Sequence, residues 1–156
     1  MGLTGHLALA FEPAEEAKVL AMLSGEGEGD AAILYQPKFG LVREDHYIIH
    51  RVLEAVGESW PELAGRGTPV IGTKPVAEAG MGVQYLYSAD DVRAFAAAYG
   101  KATSESVRAA VERVCPEFDL DPDGSQALAI PPMLETIRQE IGLVARNGWA
   151  MVAGMY

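Results

Sequence analysis

Cysteine is almost absent from this chain: among 156 residues there is one, Cys115. No intrachain disulfide can form, and a domain of this length does not need one, so a reducing compartment fits. Cations are scarce as well, with 12 Lys plus Arg against 22 Asp plus Glu and a formal charge of -10. Such a surface repels a phosphate backbone instead of displacing its counterions, which argues against nucleic acid as a ligand. No apolar run approaches the roughly 20 residues of a membrane span. The opening segment has no basic leading region, and Glu12 and Pro13 interrupt its apolar stretch, so neither export nor a membrane is expected and a cytoplasmic protein is. What remains, 49% hydrophobic and 22% charged residues, is the composition of one folded domain covering 1–156.

The hydropathy pattern predicts an α+β fold. Leu7, Leu9 and Phe11 alternate with small or polar residues, the two-residue period of a half-buried strand. Pro13, Glu15 and Glu16 open a helix that carries Val19, Leu20 and Leu23 and stops at Gly25. The run from Gly25 to Asp30 alternates glycine with acid and predicts an exposed loop, followed by a short strand over 31–36. Ile48, Ile49, Val52, Leu53 and Val56 recur at helical spacing behind Asp45 and end at Gly57. The stretch 58–74 reads as a long loop interrupted by Val70 and Ile71. A strand over 82–87 is followed by Ser88, a capping residue for a helix bearing Val92, Phe95, Ala96 and Tyr99. A helix from about Ser104 to Cys115 is ended by Pro116. Beyond Pro131 and Pro132 comes the longest amphipathic helix, closed by Asn147 and Gly148 before an apolar last strand. The first and last strands are expected side by side in a small mixed sheet, with about five amphipathic helices stacked on its faces.

Chemistry-bearing residues are few. His46 and His50 stand four apart with Glu54 a turn further on, which puts two imidazoles on one helical face at a spacing suited to a divalent metal. The glutamate that a zinc-protease helix places directly after its first histidine is missing, and no further histidine or cysteine offers itself as a third ligand. The plain reading, a solvated polar stripe beside an apolar face, is preferred. Asp119, Asp121, Asp123 and Gly124 open like a calcium loop, yet its twelfth position falls on Ile130 where a bidentate glutamate is needed, so an exposed acidic turn is expected. Cys115 falls at a helix carboxyl end, where the dipole opposes a thiolate. Gly25, Gly27 and Gly29 are interleaved with acids that would repel a phosphate. Trp60, Tyr85, Tyr87 and Tyr99 belong to the core or line a pocket. No catalytic triad, metal site or cofactor motif is expected.

Four segments carry a resemblance: the opening Met-Gly-Leu-Thr-Gly-His, Gly-Thr-Lys-Pro-Val at 72–76, Val-Gln-Tyr-Leu-Tyr-Ser-Ala-Asp-Asp-Val at 83–92, and the closing helix with its apolar strand. Their order and spacing resemble the YfbM-like family of bacterial proteins of unknown function. In that family a Trp/His-bearing helix stands where this chain has Asp45 to Gly57, and a Gly-Gly pair where it has Gly72 and Thr73. The resemblance implies an α+β domain of the cytoplasm and assigns no reaction. Two readings of function follow from the residues themselves. The leading one is a binding or regulatory module that recognises a basic protein partner, in one version an immunity-type protein blocking a basic toxin or enzyme. The competing one is a small enzyme or a ligand- or metal-binding domain whose pocket gathers His46, His50, Glu54 and Tyr85.

Overall fold

The computed structural model describes residues 5–25, 33–41, 45–77 and 83–155. The predicted glycine and acid loop at 26–30 therefore lies outside the described residues, as do the first four residues of the opening motif. At the centre, β1 (His6–Phe11) and β5 (Ala150–Met155) pair antiparallel, with Ala8 opposite Ala153 and Ala10 opposite Met151. The first and last strands are thus neighbours, as expected. Strand β4 (Gln84–Tyr87) flanks β5, and β2 (Ile33–Tyr35) and β3 (Lys74–Ala77) form the edges, in the order β2-β1-β5-β4-β3. Each pairing is antiparallel, where a mixed sheet was expected. The link between β3 and β4 is too short for the crossover that a parallel pair requires.

The alternation in β1 is real, but its two faces do different work from what residue size suggests. On the face of Phe11, Ala150 and Val152, the helix α1 (Glu16–Leu23) supplies Val19 and Leu23 to a small core. The opposite face carries Ala8, Ala10, Met151, Ala153 and Tyr87, and it supports the larger core. Small side chains there let a thick helical layer approach the sheet closely. That layer holds α2 (Asp45–Gly57) against α4 (Ser104–Val114) and α3 (Ala89–Tyr99) against α6 (Ile130–Arg146), with the single turn α5 (Ser125–Leu128) before α6. Ile49, Val52, Phe95, Val114, Ile137 and Ile141 are fully enclosed within it. Among the described residues no helix is long and apolar enough to cross a membrane.

Helix ends follow local chemistry. Ser88 caps α3, its hydroxyl accepting from the Asp91 N–H at 3.1 Å. Replacing Ser88 with Ala is expected to lower stability by about 1 kcal/mol, read as an earlier midpoint in urea unfolding. Thr103 and Ser106 cap α4 reciprocally, at 3.1 and 3.0 Å. Pro116 sits in a 3-10 turn, Cys115–Phe118, that continues from α4. Pro131 and Pro132 lie inside the first turn of α6, so that helix starts at Ile130, earlier than the sequence reading had it. Proline is tolerated there because first-turn N–H groups have no partner inside the helix. Gly148 takes the left-handed conformation after α6, with φ of 70°.

Candidate functional site

The segment 58–74, read from sequence as a loop, is where the fold's polar side chains meet. A 3-10 turn occupies Pro61–Leu63 and β3 begins at Lys74. Between them, Arg66 donates to Asp90 and to Asp91, each at 2.8 Å, at the start of α3. Thr73 donates to Asp91 at 2.7 Å and lies close to the Arg66 carbonyl. Asp91 is buried, and these partners satisfy its carboxylate. Gly67 and Gly72 allow the segment to lie flat: a Cβ on Gly67 would stand 2.7 Å from the Ile71 carbonyl oxygen.

Thr68 joins this segment to α2. Its hydroxyl oxygen accepts from the N–H groups of Val70 and Ile71, at 3.2 and 3.3 Å, so its one hydrogen points to His50 Nδ1, 2.9 Å away. His50 then carries its own proton on Nε2 and donates it to Glu54 Oε1 at 3.2 Å. The same Glu54 oxygen receives Arg51 at 3.0 Å, and Arg51 also spans to Glu117. Burial holds the His50 pKa below its ordinary value despite the Glu54 carboxylate, which works the other way, while Arg51 adds to the lowering. Hydroxyl, imidazole and carboxylate in a row have the order of a nucleophile, base and orienting acid. Thr68 is not placed to attack, however: it is 2% exposed and both its lone pairs are engaged. The array fastens the segment to the helix.

The third imidazole comes from β1. His6 Nε2 donates to the Val70 carbonyl at 3.2 Å, and its ring centroid lies 5.5 Å from that of His46. The chain's three histidines are thus neighbours, His6 on the Val70 carbonyl and against the His46 ring, and His50 on Thr68; the sequence reading did not name His6 among the site residues. A signal was available in the strand period, because His6 shares the helix-facing side of β1 with Ala8 and Ala10. His46 also departs from the expected solvated stripe. It is 2% exposed, its Nδ1 has no partner, and the Tyr47 ring meets it edge-on at 4.9 Å. Burial, reinforced by His6 and His50, pushes its pKa down to about 4. Burial likewise lowers His6, against the Val70 carbonyl.

Among the described residues no three His, Cys, Asp or Glu side chains are placed to hold a metal together. A cavity of about 460 Å³ adjoins the array, bordered by Glu54, Thr68, Arg51, Glu58 and Trp60. Tyr85 lies on β4 opposite Ala153 and borders Gly72. The four predicted pocket residues are thus divided: His50 and Glu54 touch, His46 joins His6, and Tyr85 flanks the connecting segment. Cys115 is buried, and burial with the nearby Asp121 carboxylate pushes its thiol upward, away from a thiolate.

The fold and this site define an α+β domain in which burial holds the pKa values of three neighbouring imidazoles below their ordinary value. Comparison with protein families, curated proteins and solved structures finds no match to the chain.

Proposed function

We propose that this chain is a binding module for a basic protein partner, a cytoplasmic protein of the YfbM-like kind with the immunity-type version as its concrete form. The observation that carries the reading is how the charge is laid out. Arg51, Arg66, Arg93, Arg108, Arg113 and Arg138 each already face a carboxylate. The excess acids are thereby left for outside ligands, and Asp119, Asp121 and Asp123 stand exposed together on one turn. That turn is shaped in advance. Asp119 is left-handed with φ of 55°, the Leu120 N–H reaches the Cys115 carbonyl at 3.0 Å, and Asp121 accepts from the Asp123 N–H at 3.0 Å. Leu128, exposed to 65%, stands on the next element as an apolar anchor. Acidic groups around an apolar contact steer and seat a cationic surface. The enzyme or ligand-pocket reading on His46, His50, Glu54 and Tyr85 has less support, because the imidazoles are spent on internal contacts.

The test is cross-linked capture from the native host followed by reconstitution of the purified pair. A partner of basic pI is expected, with affinity falling at least about tenfold between low and physiological salt. The triple variant Asp119→Asn, Asp121→Asn, Asp123→Asn should weaken the complex about tenfold or more while leaving the unfolding midpoint unchanged. A reconstituted complex indifferent to salt and to these substitutions, or the absence of any basic partner, overturns the reading.

A further inference from the structure

The cavity of about 460 Å³ beside Glu54 lies at the carboxyl end of α2. Sites for small organic groups run to roughly 300–1,000 Å³, so it has room for a long side chain. Trp60, Pro61 and Leu63 give it an apolar wall, and Glu54 and Glu58 give it a charged one. Both carboxylates can be reached from solvent, their side chains being 42% and 55% exposed.

Two features select the occupant. First, the charge here is net negative. Among the described residues Arg51 is the one Lys or Arg of the wall, and its guanidinium is engaged: Nε and Nη2 donate to the two oxygens of Glu117 at 3.0 and 3.1 Å, and Nη1 donates to Glu54 at 3.0 Å. Glu58 receives Arg113 from outside the wall at 2.5 Å. The carboxylates of Glu54, Glu58 and Glu117 thus outnumber the guanidiniums of Arg51 and Arg113. The last turn of α2 holds no basic residue, so the partial negative charge of the helix end adds to the excess. Second, the acceptors that remain are single ones. Glu54 takes both His50 and Arg51 on Oε1, and Glu58 takes Arg113 on Oε1, while the Oε2 atom of each has no partner among the described residues. An arginine fork pairs with both oxygens of one carboxylate, as Arg51 does with Glu117, and neither Glu54 nor Glu58 has both to offer. An ammonium group is a point charge with three rotatable donors, so it can take one oxygen from each.

We propose that this cavity seats an alkylammonium group, delivered as a lysine side chain by the basic protein partner, a source that rests on the reading of function above. The ammonium takes Glu54 Oε2 and Glu58 Oε2, and its methylene stem lies along Trp60 and Leu63, where the indole adds cation–π attraction to apolar contact. The seat continues the acidic turn, because Glu117, held by Arg51, belongs to the 3-10 turn that leads into Asp119.

The experiment is a titration of the full-length chain with the tripeptide acetyl-Ala-Lys-Ala-amide, followed through the Trp60 indole N–H and the backbone amides, beside the same peptide carrying norleucine or arginine in place of lysine. The lysine peptide should shift the Trp60 indole and the amides of Gly57 and Gly65, bind at least about threefold more tightly than the norleucine peptide, and exceed the arginine peptide as well. Added salt should weaken it. Glu58→Gln, at an exposed position, should keep the urea midpoint and lower the affinity for the lysine peptide about threefold. The double variant Glu54→Gln, Glu58→Gln keeps an oxygen for His50 and Arg51, and it should bind the lysine and norleucine peptides alike. The seat is overturned by shifts confined to residues 119–123, by an arginine peptide that binds as tightly as the lysine one, or by a double variant that keeps the lysine preference. Capture from the native host tests the source separately. Lysine-peptide binding with no basic partner captured overturns the assignment to a protein's lysine, whereas a captured partner without peptide shifts at Trp60 overturns the seat and leaves the partner reading standing.

Discussion

Gly72→Ala is expected to cost about 3 kcal/mol of stability, the upper part of the range for forcing an extra methyl into a packed site. The added Cβ would stand 2.5 Å from the Leu86 carbonyl oxygen and 2.9 Å from its carbon. That carbonyl cannot swing aside without loss, because it accepts from the Thr73 N–H at 3.0 Å and belongs to the β3–β4 pairing. Tyr85 closes the remaining side, its Cβ 3.2 Å from the new methyl. The strain therefore falls on the 66–73 segment, whose Arg66, Thr68, Val70 and Thr73 contacts fasten α2, α3 and β1. Urea unfolding should show the lowered midpoint, and the Asp91 and Thr68 contacts should loosen with it. Gly57→Ala is the control: its Cβ would meet Leu63 at an ordinary 3.4 Å, and within a helix the exchange should be neutral or slightly stabilising. Equal midpoints for the two variants would refute the account.

That segment also marks the boundary of what could be read from sequence. Elements with a local cause were legible. The 3.6-residue recurrence of Ile49, Val52, Leu53 and Val56 gives α2, and Ser88 ahead of Asp91 gives the start of α3. The pairing of first and last strands followed from two short apolar segments needing a common sheet. Strand order was not legible, because alternation states which face a residue takes and not which strand lies beside it. Nor was it evident that the alanine face of β1 would bear the thicker layer. A size-based reading puts Leu9 and Phe11 at the centre, whereas close helix approach favours Ala8 and Ala10. The 58–74 segment has no period to read, since Thr68 and Arg66 fix it through side-chain bonds to residues far along the chain. His6 was missed for the same reason, standing 40 residues from its ring neighbour. The quoted motifs at 72–76 and 83–92 nonetheless meet here, through Thr73 and Asp91.

Acidification should unlock this centre before it affects the rest of the molecule. The folded pKa of His46 is depressed to about 4, and those of His6 and His50 are depressed as well. An unfolded chain takes up protons on these rings near pH 6.5, so below that pH the unfolded state binds more protons than the folded one and stability falls. The His46 contribution is complete above about pH 6.5, declines as the pH drops, and is lost once the folded ring titrates near 4. The groups facing it sharpen the effect. His6 and His50 are the neighbouring imidazoles, and a proton on either repels a proton on His46, while Glu54 faces only His50 and is shared with Arg51. Carboxylates held down by arginines, among them Asp90, Glu117 and Glu135, act in a lower window, as the pH falls below their ordinary values. Urea midpoints measured from about pH 8 to about pH 3 should therefore decline through the histidine window. His46→Leu removes both the titrating ring and its unpartnered Nδ1, and should flatten that decline while sparing the acid loss below about pH 4. A wild-type midpoint that is level between pH 7 and pH 5 would mean that water or a partner reaches His46, contrary to its burial beside His6 of β1.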